Sequence, residues 1–206
     1  MDSIIFDVDG TIWDSTKSVA DSWNKAIREH SDLDLNLEPV SLSRVFGKTM
    51  TEIADILFPM LDTEDRMNLL DICFDEENRY LEDHPGVLYP QVTETIQNLA
   101  RRYPLYIVSN CQCGYIEVML KTCGLTPYIK DHLCFGETQR SKGETIRLLM
   151  EKNNLKSPVY VGDTQGDADS CRSAGIPFIF AEYGFGDVPD AKTRIQTFSD
   201  LENICP

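Results

Sequence analysis

Three short apolar runs constrain this chain more than any other feature: Ile4-Ile5-Phe6, Tyr106-Ile107-Val108 and Val159-Tyr160-Val161. Each stops at polar residues, namely Asp7, Ser109-Asn110 and Gly162-Asp163. Short runs without alternation suit strands covered on both faces, and helical periodicities separate them, so a mostly parallel sheet is expected. All three polar ends then fall along one edge, outside the carboxyl ends of the strands, where open α/β sheets hold their ligands.

The helical signals are specific. Val19, Trp23 and Ile27 recur at helical spacing behind the candidate N-caps Asp14, Ser15 and Thr16. A capping box from Thr49 to Glu52 precedes Ile53, Ile56 and Leu57, and Pro59 closes that helix. The stretch "DTEDRMNLLDICFDEENRYLED" carries Met67, Leu70, Cys73 and Phe74 as its apolar stripe, and its many acids read as a solvated face. From Ser15 to His84 no strand pattern occurs, so this section reads as a helical insertion.

Downstream, helices are expected through Val92, Ile96 and Leu99, over Ile116 to Cys123 with a stop at Gly124, from Ser141 with a capping box to Glu144, and from about Asp167 to Gly175. "IPFIFA" supplies a further strand and "SDLENI" a short last helix.

The 206 residues carry 19 basic against 34 acidic side chains, a formal net charge of -15. That field repels nucleic acid and anionic membranes, so an anionic substrate needs local positive charge from a metal or a placed lysine. No apolar run has the length of a membrane span, and a cytoplasmic location is expected. Seven scattered cysteines lack zinc-site spacing and read as reduced, mostly buried thiols.

The residue types along the edge fit phosphoryl transfer. Asp7 would attack as a carboxylate nucleophile, and Asp9, two residues on, would protonate the leaving alkoxide and then activate water. Gly10 permits a tight turn that aims both groups. Several carboxylates beside a phosphate dianion repel one another, about 4 kcal/mol for each unit pair near 4 Å at an effective dielectric of 20. Asp7, Asp163 and Asp167 offer hard oxygen ligands for Mg²⁺, Lys142 neutralises remaining charge, and Ser109 with backbone N–H groups would hold the phosphoryl oxygens.

Taken in order, "DVDGT" at Asp7 to Thr11, "SN" at Ser109-Asn110, Lys142 and "GDTQGD" at Gly162 to Asp167 resemble the four motifs of the haloacid dehalogenase-like phosphohydrolases. The resemblance implies an α/β, Rossmann-like three-layer core, residues 1–14 and 85–206, with a small all-helical cap over residues 15–84. It implies Mg²⁺ held by the Asp7 side chain, the Asp9 carbonyl and Asp163, with Asp167 supporting it. It counts Asn110 among the substrate-binding residues. Gly47-Lys48 resembles the substrate-facing cap loop of phosphoglycolate phosphatase-like members, which would bring Lys48 to the substrate on closure.

Smaller signals have plainer explanations. Trp13 and Asp14 read as an aromatic contact and a helix cap, Asp169 as a first-turn acid, and His30, His84 and His132 lack ligand spacing. Cys111 and Cys113 lie near the active edge as packing residues. Gly184-Phe185-Gly186 resembles a loop that borders the site, and an ordinary turn explains it equally well.

The resulting expectation is a Mg²⁺-dependent phosphatase acting on a small phosphorylated metabolite, phosphoglycolate-like or a sugar phosphate, as a monomer or homodimer. A β-phosphoglucomutase-like sugar phosphomutase and a non-catalytic phosphate-binding regulatory module are the alternatives. Dehalogenation and phosphonate cleavage are disfavoured, because the relatives that perform them lack the second aspartate.

Overall fold

In the computed structural model, which describes residues 1–204, the apolar run Ser3–Phe6 forms β1 at the middle of a parallel sheet. The chain continues through β2 (Trp13–Asp14), α1 (Thr16–His30), α2 (Pro39–Ser43), α3 (Met50–Leu57), α4 (Thr63–Asp83), β3 (Val87–Leu88) and α5 (Val92–Ala100). It then forms β4 (Leu105–Ser109), α6 (Tyr115–Thr122), β5 (Ile129–Cys134), α7 (Phe135–Thr138) and α8 (Lys142–Asn153). Last come β6 (Pro158–Gly162), α9 (Gln165–Ala174), β7 (Phe178–Ala181), β8 (Arg194–Ile195) and α10 (Leu201–Ile204).

Among the described residues the main sheet runs β5-β4-β1-β6-β7-β8, with every neighbouring pair parallel. Side chains alternate across it. Ile4 and Phe6 join Val92, Ile96 and Ile116 on one face, whereas Ile5 joins Ile146, Leu149 and Cys171 on the other. Three layers result. Register then aligns the ends: Phe6 pairs with Ile107 on one side and Val161 on the other, so Asp7, Ser109 and Asp163 leave the sheet at one edge.

Between residues 15 and 84 the described elements are all helices, with a core of their own built from Val19, Trp23, Ile27, Leu42, Ile53, Leu70 and Phe74. The chain enters and leaves this helical cap through an antiparallel ribbon, in which Trp13 pairs with Leu88 and Asp14 with Val87.

Some expectations need correction. The strand β5 went unread because "IKDHLC" is polar and half-buried at a sheet edge. Helix α9 starts at Gln165 instead of about Asp167: Thr164 is its N-cap and Asp167 closes the capping box, which also puts Asp169 beyond the first residues of the helix. Ile56, expected on a buried stripe, is half exposed. Of the three cap candidates of α1, Ser15 holds the N-cap position without a side-chain cap hydrogen bond, Thr16 lies inside the helix, and Asp14 Oδ1 accepts from the Thr16 backbone N–H. Of the cysteines, Cys73, Cys134 and Cys171 are buried, Cys111 and Cys123 are intermediate and Cys113 is exposed; Cys205 lies outside the described residues. No helix among the described residues is long and apolar enough to cross a membrane.

Candidate active site

Beyond Phe6 the chain turns sharply. Gly10 has a φ of 77°, and a Cβ there would run into the Asp163 carboxylate. Only glycine lets the Asp7–Asp9 loop lie this close to the end of β6. Gly184 serves the same closeness from the other side, since a Cβ on it would meet Asp163 and the Gly10 carbonyl. The neighbouring Phe185 N–H donates to Asp163 Oδ2 at 2.8 Å, so the Gly184-Phe185-Gly186 loop borders the site.

Asp7, Asp163 and Asp167 are buried, with one carboxylate oxygen of each within 4.8 Å of the others. Lys142, the first residue of α8, reaches in with Nζ 2.6 Å from Asp167 Oδ1 and 3.1 Å from Asp7 Oδ1. Its ammonium also lies 5.9 Å from the centre of the Tyr160 ring. Burial works against the charge on Lys142, but the facing carboxylates of Asp167 and Asp7 outweigh it and raise its pKa. Burial pushes the Asp7 and Asp163 carboxyls up, with Asp167 adding repulsion to both.

This site carries more negative charge than its lysine neutralises, three carboxylates against one ammonium. Asp163 Oδ1 is also buried without a hydrogen-bond donor, and Asp7 Oδ1 has only the ammonium of Lys142 beside it. Uncompensated charge and a partnerless hard oxygen on Asp163 together fit a divalent cation of the Mg²⁺ type. Asp167 differs: Oδ1 accepts from Lys142 and Oδ2 from the Thr164 N–H and hydroxyl, so the capping box of α9 fixes its orientation.

Asp9 has another environment. Trp13 Nε1 (3.0 Å), Ser15 Oγ (2.6 Å) and Tyr115 Oη (2.7 Å) all donate to its Oδ1, leaving Oδ2 without a protein partner among the described residues. Burial raises the Asp9 pKa to about 6, even though these three donors pull it down. A carboxyl titrating there can both give and take a proton near neutrality.

A cavity of about 40 Å³ separates core from cap. Asp7, Asp9, Ser109, Asn110, Cys111, Gln112 and Tyr115 line it from the core, and Trp23, Phe46, Gly47, Lys48, Ile53, Phe74 and Glu77 from the cap. Asn110 is drawn into a latch: its Nδ2 donates to the Gly47 carbonyl at 2.8 Å, while Phe46 and Phe185 meet with ring centres 6.0 Å apart.

The structure thus brings Asp7, Asp9, Ser109, Asn110 and Lys48 to one cavity, and Lys142, Asp163 and Asp167 to the buried cluster beneath it. Sequence reasoning missed Tyr115, Gln112, Trp23 and Glu77. Two of them carried a signal: Trp23 stands on the apolar stripe of α1, and Glu77 continues the 70, 73/74, 77, 81 stripe of α4, 4% exposed rather than solvated.

A parallel α/β core with an acidic cluster at its strand ends and a helical cap above defines a class of capped α/β enzymes. Within that class the chain belongs to the haloacid dehalogenase-like hydrolase family, whose model matches residues 4–181. It is 27% identical to a phosphoglycolate phosphatase of Rhodobacter capsulatus, covering 98% of this chain and 94% of that one. With a phosphoglycolate phosphatase of Mesorhizobium japonicum it shares 29% identity over 89% and 84% of the two chains. Among solved structures, a predicted phosphoglycolate phosphatase from Haemophilus somnus superposes with a TM-score of 0.84 at 23% identity, over 100% of this chain and 98% of the other.

Proposed function

We propose that the chain is a Mg²⁺-dependent phosphomonoesterase that releases phosphate from a small phosphorylated metabolite through an aspartyl-phosphate. The observation that carries this reading is the pairing of two unlike carboxyls two residues apart. Asp7 faces Lys142 in the charged cluster, whereas Asp9 presents one partnerless oxygen and titrates at about 6. The two differ in partners: the ammonium beside Asp7 suits it to approach a phosphoryl group, while the open oxygen of Asp9 suits it to exchange a proton with a leaving group. The relatives named phosphoglycolate phosphatase support the same reaction class.

In the first step an Asp7 oxygen attacks phosphorus, the bond to the ester oxygen breaks, and Asp9 gives its proton to the departing alkoxide. In the second, Asp9 takes a proton from water as that water attacks phosphorus, and the phosphate leaves Asp7. Ser109 and Lys142 hold the phosphoryl oxygens while charge builds on them. Asp7, Asp163, the Asp9 carbonyl and, in support, Asp167 would hold Mg²⁺, which when bound supplies positive charge to the phosphoryl group. The cap over residues 15–84 excludes water from the seam and brings Lys48 toward the substrate.

The test is phosphate release from a panel of phosphorylated metabolites, with Mg²⁺ and with EDTA. Mg²⁺-dependent release that Asp7→Asn abolishes and Asp9→Asn slows by about 10²–10⁴-fold is the expected result. Isomerisation of hexose phosphates without release would make the chain a phosphomutase, and turnover by a folded Asp7→Asn protein would overturn its role as nucleophile.

A further inference from the structure

The mechanism above does not use Glu77, yet this side chain forms part of the cavity wall opposite Asp7 and Asp9. Its Oε2 accepts from Trp23 Nε1 and its Oε1 from Gln112 Nε2, the latter at 3.0 Å. Trp23 belongs to the cap and Gln112 to the core, so the carboxyl is fixed from both sides of the seam. Among the described residues no cation pairs with it, and burial pushes its pKa up to about 8 against the pull of the two donors. A buried acid without a cation is costly, and an apolar side chain would fill this place in the cap at lower cost.

The surrounding wall narrows what Glu77 can meet. On the cap side Trp23, Phe46, Ile53 and Phe74 are aromatic or aliphatic, which leaves Glu77 and Lys48 as the charged groups facing the organic half of a substrate.

We propose that Glu77 selects the leaving group. Each of its oxygens already holds one N–H, and a remaining lone pair accepts from a substrate hydroxyl, whereas the group offers no positive charge to bind a carboxylate. The preferred substrate is then the phosphomonoester of a small hydroxylated alcohol rather than a carboxylated one such as 2-phosphoglycolate. This inference rests on the phosphomonoesterase reading and narrows its substrate class.

Initial rates with Mg²⁺ on glycerol 1-phosphate, 2-phosphoglycolate and 4-nitrophenyl phosphate test it, using the intact protein and Glu77→Gln. Glycerol 1-phosphate should exceed 2-phosphoglycolate by at least about tenfold in kcat/KM. Glu77→Gln should shrink that ratio by about tenfold through KM, with a smaller change on 4-nitrophenyl phosphate, which offers neither group.

A preference of the intact protein for 2-phosphoglycolate overturns the proposal and assigns the leaving group to Lys48. An equal change on all three substrates overturns it too, reducing Glu77 to a structural part. Should Glu77→Gln fail to fold, the ranking by the intact protein decides alone. Absence of turnover on all three overturns the phosphatase reading instead; calorimetric binding of glycerol 1-phosphate and 2-phosphoglycolate to the intact protein then decides. Tighter glycerol 1-phosphate supports the role of Glu77, and any other result overturns it.

Discussion

Three donors converge on one oxygen of Asp9, and that asymmetry sets its chemistry. Trp13, Ser15 and Tyr115 fix Oδ1 and hold the pKa down, while burial holds it up near 6. Tyr115→Phe removes one of the donors, so the Asp9 pKa should rise. The limb of the pH–rate profile that Asp9 governs should move to higher pH, with the fold unchanged by circular dichroism; an unmoved profile would contradict this control. Glu77 yields a stability prediction of definite sign. Its pKa rises from 4.5 in the unfolded chain to about 8 in the folded one, so the native state binds the extra proton. Below pH 4.5 the group costs nothing; the stability it supports is lost as pH climbs through 8. At about 1.4 kcal/mol per unit, the loss amounts to a few kcal/mol. Denaturant unfolding of the intact protein and Glu77→Gln should therefore show the variant gaining relative stability between pH 5 and 8.5, and parallel curves would refute it.

At the scale of elements, helix N-termini place the decisive side chains. Lys142 opens α8, and Asp167 closes the capping box at the start of α9. Thr164→Ala should cost about 1 kcal/mol of stability. It also removes one of the two donors to Asp167 Oδ2, leaving the backbone N–H, which should lower kcat more than it raises KM; steady-state kinetics and chemical denaturation check both. The legibility of these elements follows from local physics. The strands β1, β4 and β6 are buried on both faces and therefore unmistakable as apolar runs, and the polar residues that end them put Asp7, Ser109 and Asp163 on the page at once. Edge strand β5 and the two-residue strands β2, β3 and β8 owe their form to neighbours rather than to composition, so no local pattern marked them. Tyr115, Gln112 and Trp23 join the site only through packing between distant segments. The acids of α4 look alike in sequence, and only the turn of the helix separates buried Glu77 from half-buried Glu76 and exposed Asp75.

Across the whole molecule, charge dominates. An overall formal charge of -15 surrounds a cluster that is itself anionic, so cation binding should stabilise the fold. Saturating Mg²⁺ at about 100 times its dissociation constant is worth about 2.7 kcal/mol. The Tm should rise with Mg²⁺ and fall back with EDTA in calorimetric scans, and Asp163→Asn should blunt the response; a Tm indifferent to Mg²⁺ would argue against the cluster as a metal site. The β2–β3 ribbon has a different consequence at this scale. Because Trp13 pairs with Leu88 and Asp14 with Val87, the chain departs from the core and rejoins it at a single doorway. The insertion is a cassette: its sequence can drift, lengthen or be exchanged without altering the order of strands behind it. The part of the site contributed by the insertion can thus be remodelled while the strand ends that carry Asp7, Ser109 and Asp163 stay where they are.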